Sequence, residues 1–281
     1  MNLGNKALLG LCGLMIFLGG PASAGPIPFS DLAPRALNAS SPEPSPMQTS
    51  WGYGPRENQF NQLIDHCVSN LWDDQANPLP PLLFKSLMAV ESSFNPNAVS
   101  ATGAAGLTQL TPDTAQRFGL ALMERSDPQK ALPAGVMALM EKHRVLSDPA
   151  RYYELLGMHG QVAPWGLKVA EAYLRYGSPR GEDRWCLTFA AYNGGGGTVL
   201  RAMAHAYERG LDPTKWDLLA GPPGAALDTP LHAACVEVYG ARNALRKAAE
   251  IAAYPRRILA LYHQAIPSPN ALSPAPTPGG G

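Results

Sequence analysis

Apolar residues recur at helical spacing along most of the chain. Phe60, Leu63, Ile64, Cys67 and Leu71 mark one face of a first helix, because positions three and four apart share a side of a 3.6-residue turn. Pro80 and Pro81 stand where prolines suit a helix start. The LLFKSLMAVE after them is apolar almost all round, which places this helix in the middle of a domain. Its last residues are Val90 and Glu91, so a carboxylate closes a buried helix.

The next stretch, SSFNPNAVSATGAAGLTQL, holds too many Gly, Asn, Ser and Pro residues for a continuous helix and reads as an irregular or short hairpin-like segment. Thr111-Pro112-Asp113 restarts a helix, with Thr111 as cap, Pro112 in the first helical position and Gly119 as its close. Asp148-Pro149 and Gly157 frame a short helix by the same logic. Further helices are expected over 130–146, 164–176, 182–192, 197–209, 230–249 and 255–265, with Gly177 and Gly210 at C-terminal ends. No run alternates apolar with polar residues, so the predicted fold class is mainly α, with at most a small β-hairpin near 100–110. Neither a 20–50 residue repeat nor a heptad seam is present, which argues against solenoids and coiled coils.

The two ends do not share this pattern. Residues 1–24 have the form of a secretory signal: Lys6 as the positive flank, an apolar stretch Ala7–Leu18 too short to span a bilayer comfortably, and Ala22-Ser23-Ala24 as a small-x-small cleavage site. Cys12 comes directly after the bulky Leu11, where a lipoprotein signal needs a small residue. Cleavage after Ala24 with no membrane anchor is therefore expected, an uncleaved N-terminal anchor being the alternative. Residues 25–58 are rich in Pro, Ser, Ala and Asn and read as a linker, and 267–281 (SPNALSPAPTPGGG after Pro267) as a disordered tail. The remaining residues, 59–266, suffice for one well-buried domain and are short for two.

Charge and cysteines narrow the classes. Lys and Arg total 22 against 22 Asp and Glu, whereas a nucleic-acid binder normally shows a basic excess, so no nucleic-acid partner is expected. Cys67, Cys186 and Cys235 survive signal removal; in an oxidising compartment any one pair has the option of bridging, and all three also fit as buried thiols. The six histidines show no paired-ligand spacing, so neither a metal nor another cofactor is expected. Gly194–Gly197 precedes a helix but lacks the Gly-Lys-Ser/Thr of a phosphate loop; it reads as a turn leaving room for a ligand near the backbone. Arg246-Lys247 and Arg256-Arg257 read as a solvated helix face, with contact to an anionic partner as the second reading.

Glu91 carries the candidate chemistry. Seven of the ten residues from Pro81 to Val90 are apolar, the proline not counted, and the irregular chain after Glu91 is of the kind that lines clefts. A carboxyl at the mouth of an apolar pocket loses hydration in its charged form, and its pKa rises toward neutrality, as a general acid at pH 7 requires. The common alternative is a helix-terminal glutamate facing water or an arginine.

The residues around Glu91 resemble the first motif block of the soluble lytic transglycosylase (SLT) family, related in fold to goose-type lysozymes. Glu91-Ser92, Asn95-Pro96, Ser100, Gly103-Ala104, Gly106-Leu107-Thr108-Gln109 and Pro112-Asp113-Thr114-Ala115 succeed one another in the family's order. FAAYNGGGGTV (189–199) is similar to its Ala-Tyr-Asn-x-Gly segment, and Glu250 and Tyr254 to its closing Glu-x-x-x-Tyr. LKVAEAYL (167–174) loosely resembles the helix before Ala-Tyr-Asn, with Gly166 and Ala170 where Asn and Gly are frequent. The resemblance runs over roughly 59–265, interrupted by apparent insertions at about 122–162 and 204–236 that suit a lid, a docking surface or added helices.

The resemblance implies a lysozyme-like helical domain and an exported, periplasmic or secreted enzyme. Such an enzyme cleaves peptidoglycan glycan strands without water, with Glu91 acting first as acid and then as base. It implies substrate contacts from Ser92, Ser100, Thr108, Gln109, Tyr192, Asn193, Glu250 and Tyr254, each of which also fits a purely structural hydrogen-bonding role. Threonine at 108, and at 111, stands where the family usually or often has Met, which would make the cleft wall smaller and more polar. Alternatives are a lysozyme-like hydrolase on the same fold and a non-catalytic wall-binding module. Flexible tails suit docking on a larger envelope assembly, and endo versus exo action depends on the insertions.

Overall fold

The computed structural model describes residues 47–266; the expected signal, the first part of the linker and the C-terminal tail lie outside them. The described chain forms α1 (Asn61–Leu71), α2 (Pro81–Ser92), α3 (Pro112–Arg117), α4 (Pro128–Ser147), α5 (Tyr152–Leu155) and α6 (Pro164–Tyr176). It continues with α7 (Gly181–Gly194), α8 (Gly196–Glu208), α9 (Trp216–Ala220), α10 (Pro230–Tyr239) and α11 (Ala241–Ala265). Thr111 caps α3 as expected, its hydroxyl accepting from the Thr114 amide at 3.2 Å. No helix among the described residues is long and apolar enough to cross a membrane.

α2 is the hub. Leu83, Phe84, Leu87 and Met88 are almost fully buried, and each such side chain contributes about 1.5–3 kcal/mol by leaving water. α2 packs between α1 and α11; α11 in turn packs on α7 and α10, and α4 joins α1 to α7. The site therefore forms where elements far apart in sequence meet on the C-terminal end of α2.

At 100–110, where at most a small hairpin is expected, the chain forms two isolated antiparallel bridges, Val99 with Ala105 and Ala105 with Leu110. Other expectations are corrected. The break expected between 249 and 255 falls instead at Gly240, whose φ of 75° suits glycine, and α11 runs through Pro255. Proline there costs one helical hydrogen bond, offset by burial of Tyr254, Pro255 and Ile258 on the packed face. The apparent insertions are core, not decoration: Leu132, Val136 and Leu139 of α4 and Leu219, Leu231 and Cys235 of the later stretch are fully buried. Cys67, Cys186 and Cys235 are free buried thiols, and burial pushes them up to about 12, 12 and 11.

Residues 47–58 also depart from the expected linker, because a buried lysine holds them. Lys85 of α2 is fully buried and donates to Met47 O, Thr49 Oγ1 and Asn58 Oδ1, each at 2.7 Å. Its ammonium also lies 5.4 Å from the Trp51 ring and 5.9 Å from that of Phe94. Nearby Glu57 accepts from the backbone amides of Trp51 (2.6 Å), Gly52 (3.0 Å) and Tyr53 (2.9 Å). Burial alone would raise the Glu57 carboxyl, but these hydrogen bonds and Thr49 hold it below the usual range. Burial lowers Lys85 to about 8 against the pull of Glu57. Lys85→Met leaves these acceptors without their cation and is expected to destabilise the fold by about 3 kcal/mol. Urea denaturation at pH 7 measures it, and a loss below about 1 kcal/mol would show that the segment is held by its aromatic packing alone.

Candidate active site

Glu91 lies in the last turn of α2, and the chain reverses directly after it. Ser93 and Phe94 have φ of 51° and 61°, a left-handed pair that non-glycine residues adopt at a cost of about 1 kcal/mol each. Side chains on both sides of the turn hold this reversal. Phe94 is fully buried, stacked on Trp51 at 6.4 Å and edge-on to Tyr53 at 5.5 Å. Ser92 is buried, and its hydroxyl donates to Leu107 O at 2.9 Å, tying the helix end to the irregular segment beyond.

That segment is clamped from within and from outside. Gln109, at φ 49°, donates both amide protons to backbone carbonyls, Ala98 O at 3.1 Å and Gly106 O at 2.9 Å. Arg125 donates to Gly103 O at 2.7 Å and Leu110 O at 2.9 Å. Gly106 has φ 82°, and a Cβ there would come within 1.9 Å of Arg125 O, so only glycine permits this approach. Ser100 accepts from the Ala104 amide at 3.0 Å and shares a hydrogen bond with Thr102. Ser92 and Ser100 thus shape the loop, while Gln109 keeps its Oε1 without a hydrogen-bond partner among the described residues.

α7 and α11 complete the surroundings of Glu91. Tyr254 of α11 is buried and donates its hydroxyl to Glu91 Oε1. Tyr192 of α7 donates to Thr108 O at 2.8 Å and lies within the electrostatic reach of Glu91. Burial raises the Glu91 carboxyl from its ordinary value to about 7, against the opposing pull of the Tyr254 hydroxyl and the Arg257 guanidinium. Burial and the neighbouring Glu91 push both tyrosines up, so each remains a neutral donor. Among the described residues no carboxylate is hydrogen-bonded to Glu91. Beside Tyr192, Asn193 Oδ1 is buried without a hydrogen-bond partner among the described residues.

The model of the Transglycosylase SLT domain family matches residues 72–159, which contain Glu91 and the whole clamped segment. Over these residues the chain is similar to a transglycosylase SLT domain. A membrane-bound lytic murein transglycosylase F of Ectopseudomonas mendocina (strain ymp) is 30% identical over 141 residues, covering 50% of this chain and 22% of that protein. One of the same name from Maricaulis maris (strain MCS10) is 32% identical over 130 residues, covering 46% and 22%. The membrane-bound lytic murein transglycosylase D of Escherichia coli (strain K12) is 26% identical over 138 residues, covering 49% and 24%. The likeness therefore spans less than a quarter of the length of these relatives. The family match ends at 159, so Tyr192, Asn193, Glu250 and Tyr254 lie beyond it.

Three expectations about the site are corrected by geometry. Thr108 does not line a cleft: its side chain is fully buried against Gly135 of α4, where a Cβ would come within 2.7 Å of Thr108 Oγ1. Gly194–Gly197 serves helix packing instead of ligand access, since a Cβ on Gly194 would meet Ile251 of α11 at 2.4 Å. Glu250 is exposed on α11 and pairs with Lys247 at 2.9 Å and Arg246 at 3.7 Å, with no contact to Glu91. Arg257 escapes a sequence reading as a site residue because adjacent arginines on a helix suggest a solvated face. Its one signal is its place a single turn after Tyr254.

The Thr108 hydroxyl has no hydrogen-bond partner among the described residues. Thr108→Val is therefore expected to raise stability by up to about 1 kcal/mol. A thermal melt checks it, and a loss of more than about 1 kcal/mol would show that the hydroxyl has a partner worth keeping.

Proposed function

We propose that the protein is an exported peptidoglycan lytic transglycosylase that uses Glu91 alone as acid and then base. The observation that carries this reading is the half-buried Glu91 carboxyl, held near neutrality and hydrogen-bonded by Tyr254, with no second carboxylate bonded to it among the described residues. The SLT match and the names of the relatives point to the same class of substrate.

Protonated Glu91 donates to the glycosidic oxygen between N-acetylmuramic acid and N-acetylglucosamine, and the C1–O bond breaks. The acetamido carbonyl supports the electron-poor C1, as in substrate-assisted glycosidases. The Glu91 carboxylate then takes the proton of the muramoyl C6 hydroxyl while O6 bonds to C1. A 1,6-anhydro ring forms, Glu91 returns protonated, and water is not consumed. A site with two carboxylates would instead activate water or trap the sugar covalently. Tyr254 stabilises the carboxylate produced in the first half, and so evens the two proton transfers. The unpartnered Asn193 Oδ1 suits an acetamido N–H, and Gln109 Oε1 a sugar hydroxyl. Ser92 and Ser100 act through the loop that carries Gln109. The apolar stretch Ala7–Leu18 and its small-residue cleavage site support export to the envelope.

Glu91→Gln is expected to lower wall lysis by at least about 100-fold. Mass spectrometry of wild-type products should give muramoyl ends lighter by one water than reducing ends. Reducing ends alone would establish a hydrolase, and unchanged lysis by Glu91→Gln would remove the glutamate from the chemistry.

The pH profile offers an independent test. The first step needs protonated Glu91, so kcat/KM should fall as pH rises through about 7. Tyr254→Phe removes a hydrogen bond that favours the carboxylate, and the basic limb should move to higher pH. A limb that stays in place or moves down would show that another group sets it.

A further inference from the structure

A cavity of about 460 Å³ lies along α11. One wall is the Pro222–Gly224 turn, and the other is the α11 face bearing Ala249, Ala253, Ala260 and Arg257. The helix places this face next to the catalytic one. Residues 249, 253, 257 and 260 keep the three-and-four spacing of a single stripe, and Arg257 is also one turn from Tyr254. Arg257 therefore stands between the groove and Glu91, on which its charge acts.

The chemistry of the walls restricts the occupant. Everything but the arginines is alanine, proline or glycine, so the groove offers width and apolar contact without side chains that reach into it. Its two cations differ. Arg256 is engaged with Asp217 at 3.0 Å and the Gly221 carbonyl at 2.6 Å. Arg257 is exposed and makes no hydrogen bond or ion pair among the described residues. An uncompensated guanidinium at the edge of a shallow apolar groove complements a carboxylate on a chain of small residues.

Resting on the lytic transglycosylase reading, we infer that this groove binds the peptide branch of the glycan strand. Methyl-sized side chains of the branch lie along Ala249, Ala253 and Ala260, and one of its carboxylates pairs with Arg257. The branch springs from the muramoyl residue whose bond Glu91 opens, so a peptide held here draws that residue toward the acid. Binding energy from the branch then serves the chemistry at the sugar.

The test uses the full chain and two substrates, glycan strands with their peptides and the same strands stripped by an amidase. Wild type is expected to favour peptide-bearing strands in kcat/KM by about tenfold or more, the worth of one charge-assisted contact. Arg257→Gln and the groove-filling Ala253→Leu should each bring that ratio close to one. Using a ratio removes the effect that Arg257→Gln has on Glu91 itself. Equal rates of wild type on both strands would overturn the inference, as would a ratio that persists in Ala253→Leu. Failure to cleave either strand would instead sink the lytic transglycosylase reading.

Discussion

The site depends on keeping one carboxyl group out of water. Glu91 ends a helix that is buried along its length, and its charged form has little hydration to draw on. What it receives in return is incomplete: one phenolic hydroxyl and the field of one arginine. Full compensation would hold the group ionised, and none would hold it neutral at every working pH. The balance lands near neutrality, where a single group can give up a proton and take one back.

Maintaining that balance places demands on parts of the chain that touch no substrate. The left-handed Ser93–Phe94 reversal keeps Glu91 at the end of α2, and Phe94 stays in place because Trp51 and Tyr53 enclose it. Those aromatics belong to a segment held by Lys85, itself on α2 nearly two turns before Glu91. One helix thus anchors the strap that secures its own end. On the other side, Tyr254 reaches Glu91 only because α11 continues through Pro255, and α11 lies close to α7 because Gly194 admits Ile251.

Local pattern makes much of this legible. α2 announces itself by being apolar on every side, and Glu91 by ending it. The caps at Thr111, Gly177 and Gly210 mark boundaries because capping is a short-range interaction. What escapes is decided by contacts between distant residues. Residues 47–58 have linker composition, and nothing local shows that Lys85, the one charge before Glu91 in an apolar helix, folds them down. Thr108 looks like a wall of the cleft until Gly135 supplies the room to bury it. Pro255 looks like a helix boundary, but packing outweighs the lost hydrogen bond while Gly240 breaks the chain nearby. Glu250 shares the motif with Tyr254, yet only the tyrosine is turned to the acid; two cations occupy the glutamate.

Arg257 illustrates why composition misleads about function at such a site. A carboxylate kept protonated by burial loses that proton more readily with any cation brought close, so a nearby arginine without an ion pair depletes the acid form that the proposed first proton transfer would need. It is an advantage once the proton has left, when the site must hold a carboxylate. The same charge faces a groove of small residues, where an anionic partner would neutralise it and thereby lift the burden on protonated Glu91. Occupation of the groove would then do more than hold the strand. It would raise the proton affinity of the acid at the moment its substrate arrives, and release that effect when the product leaves.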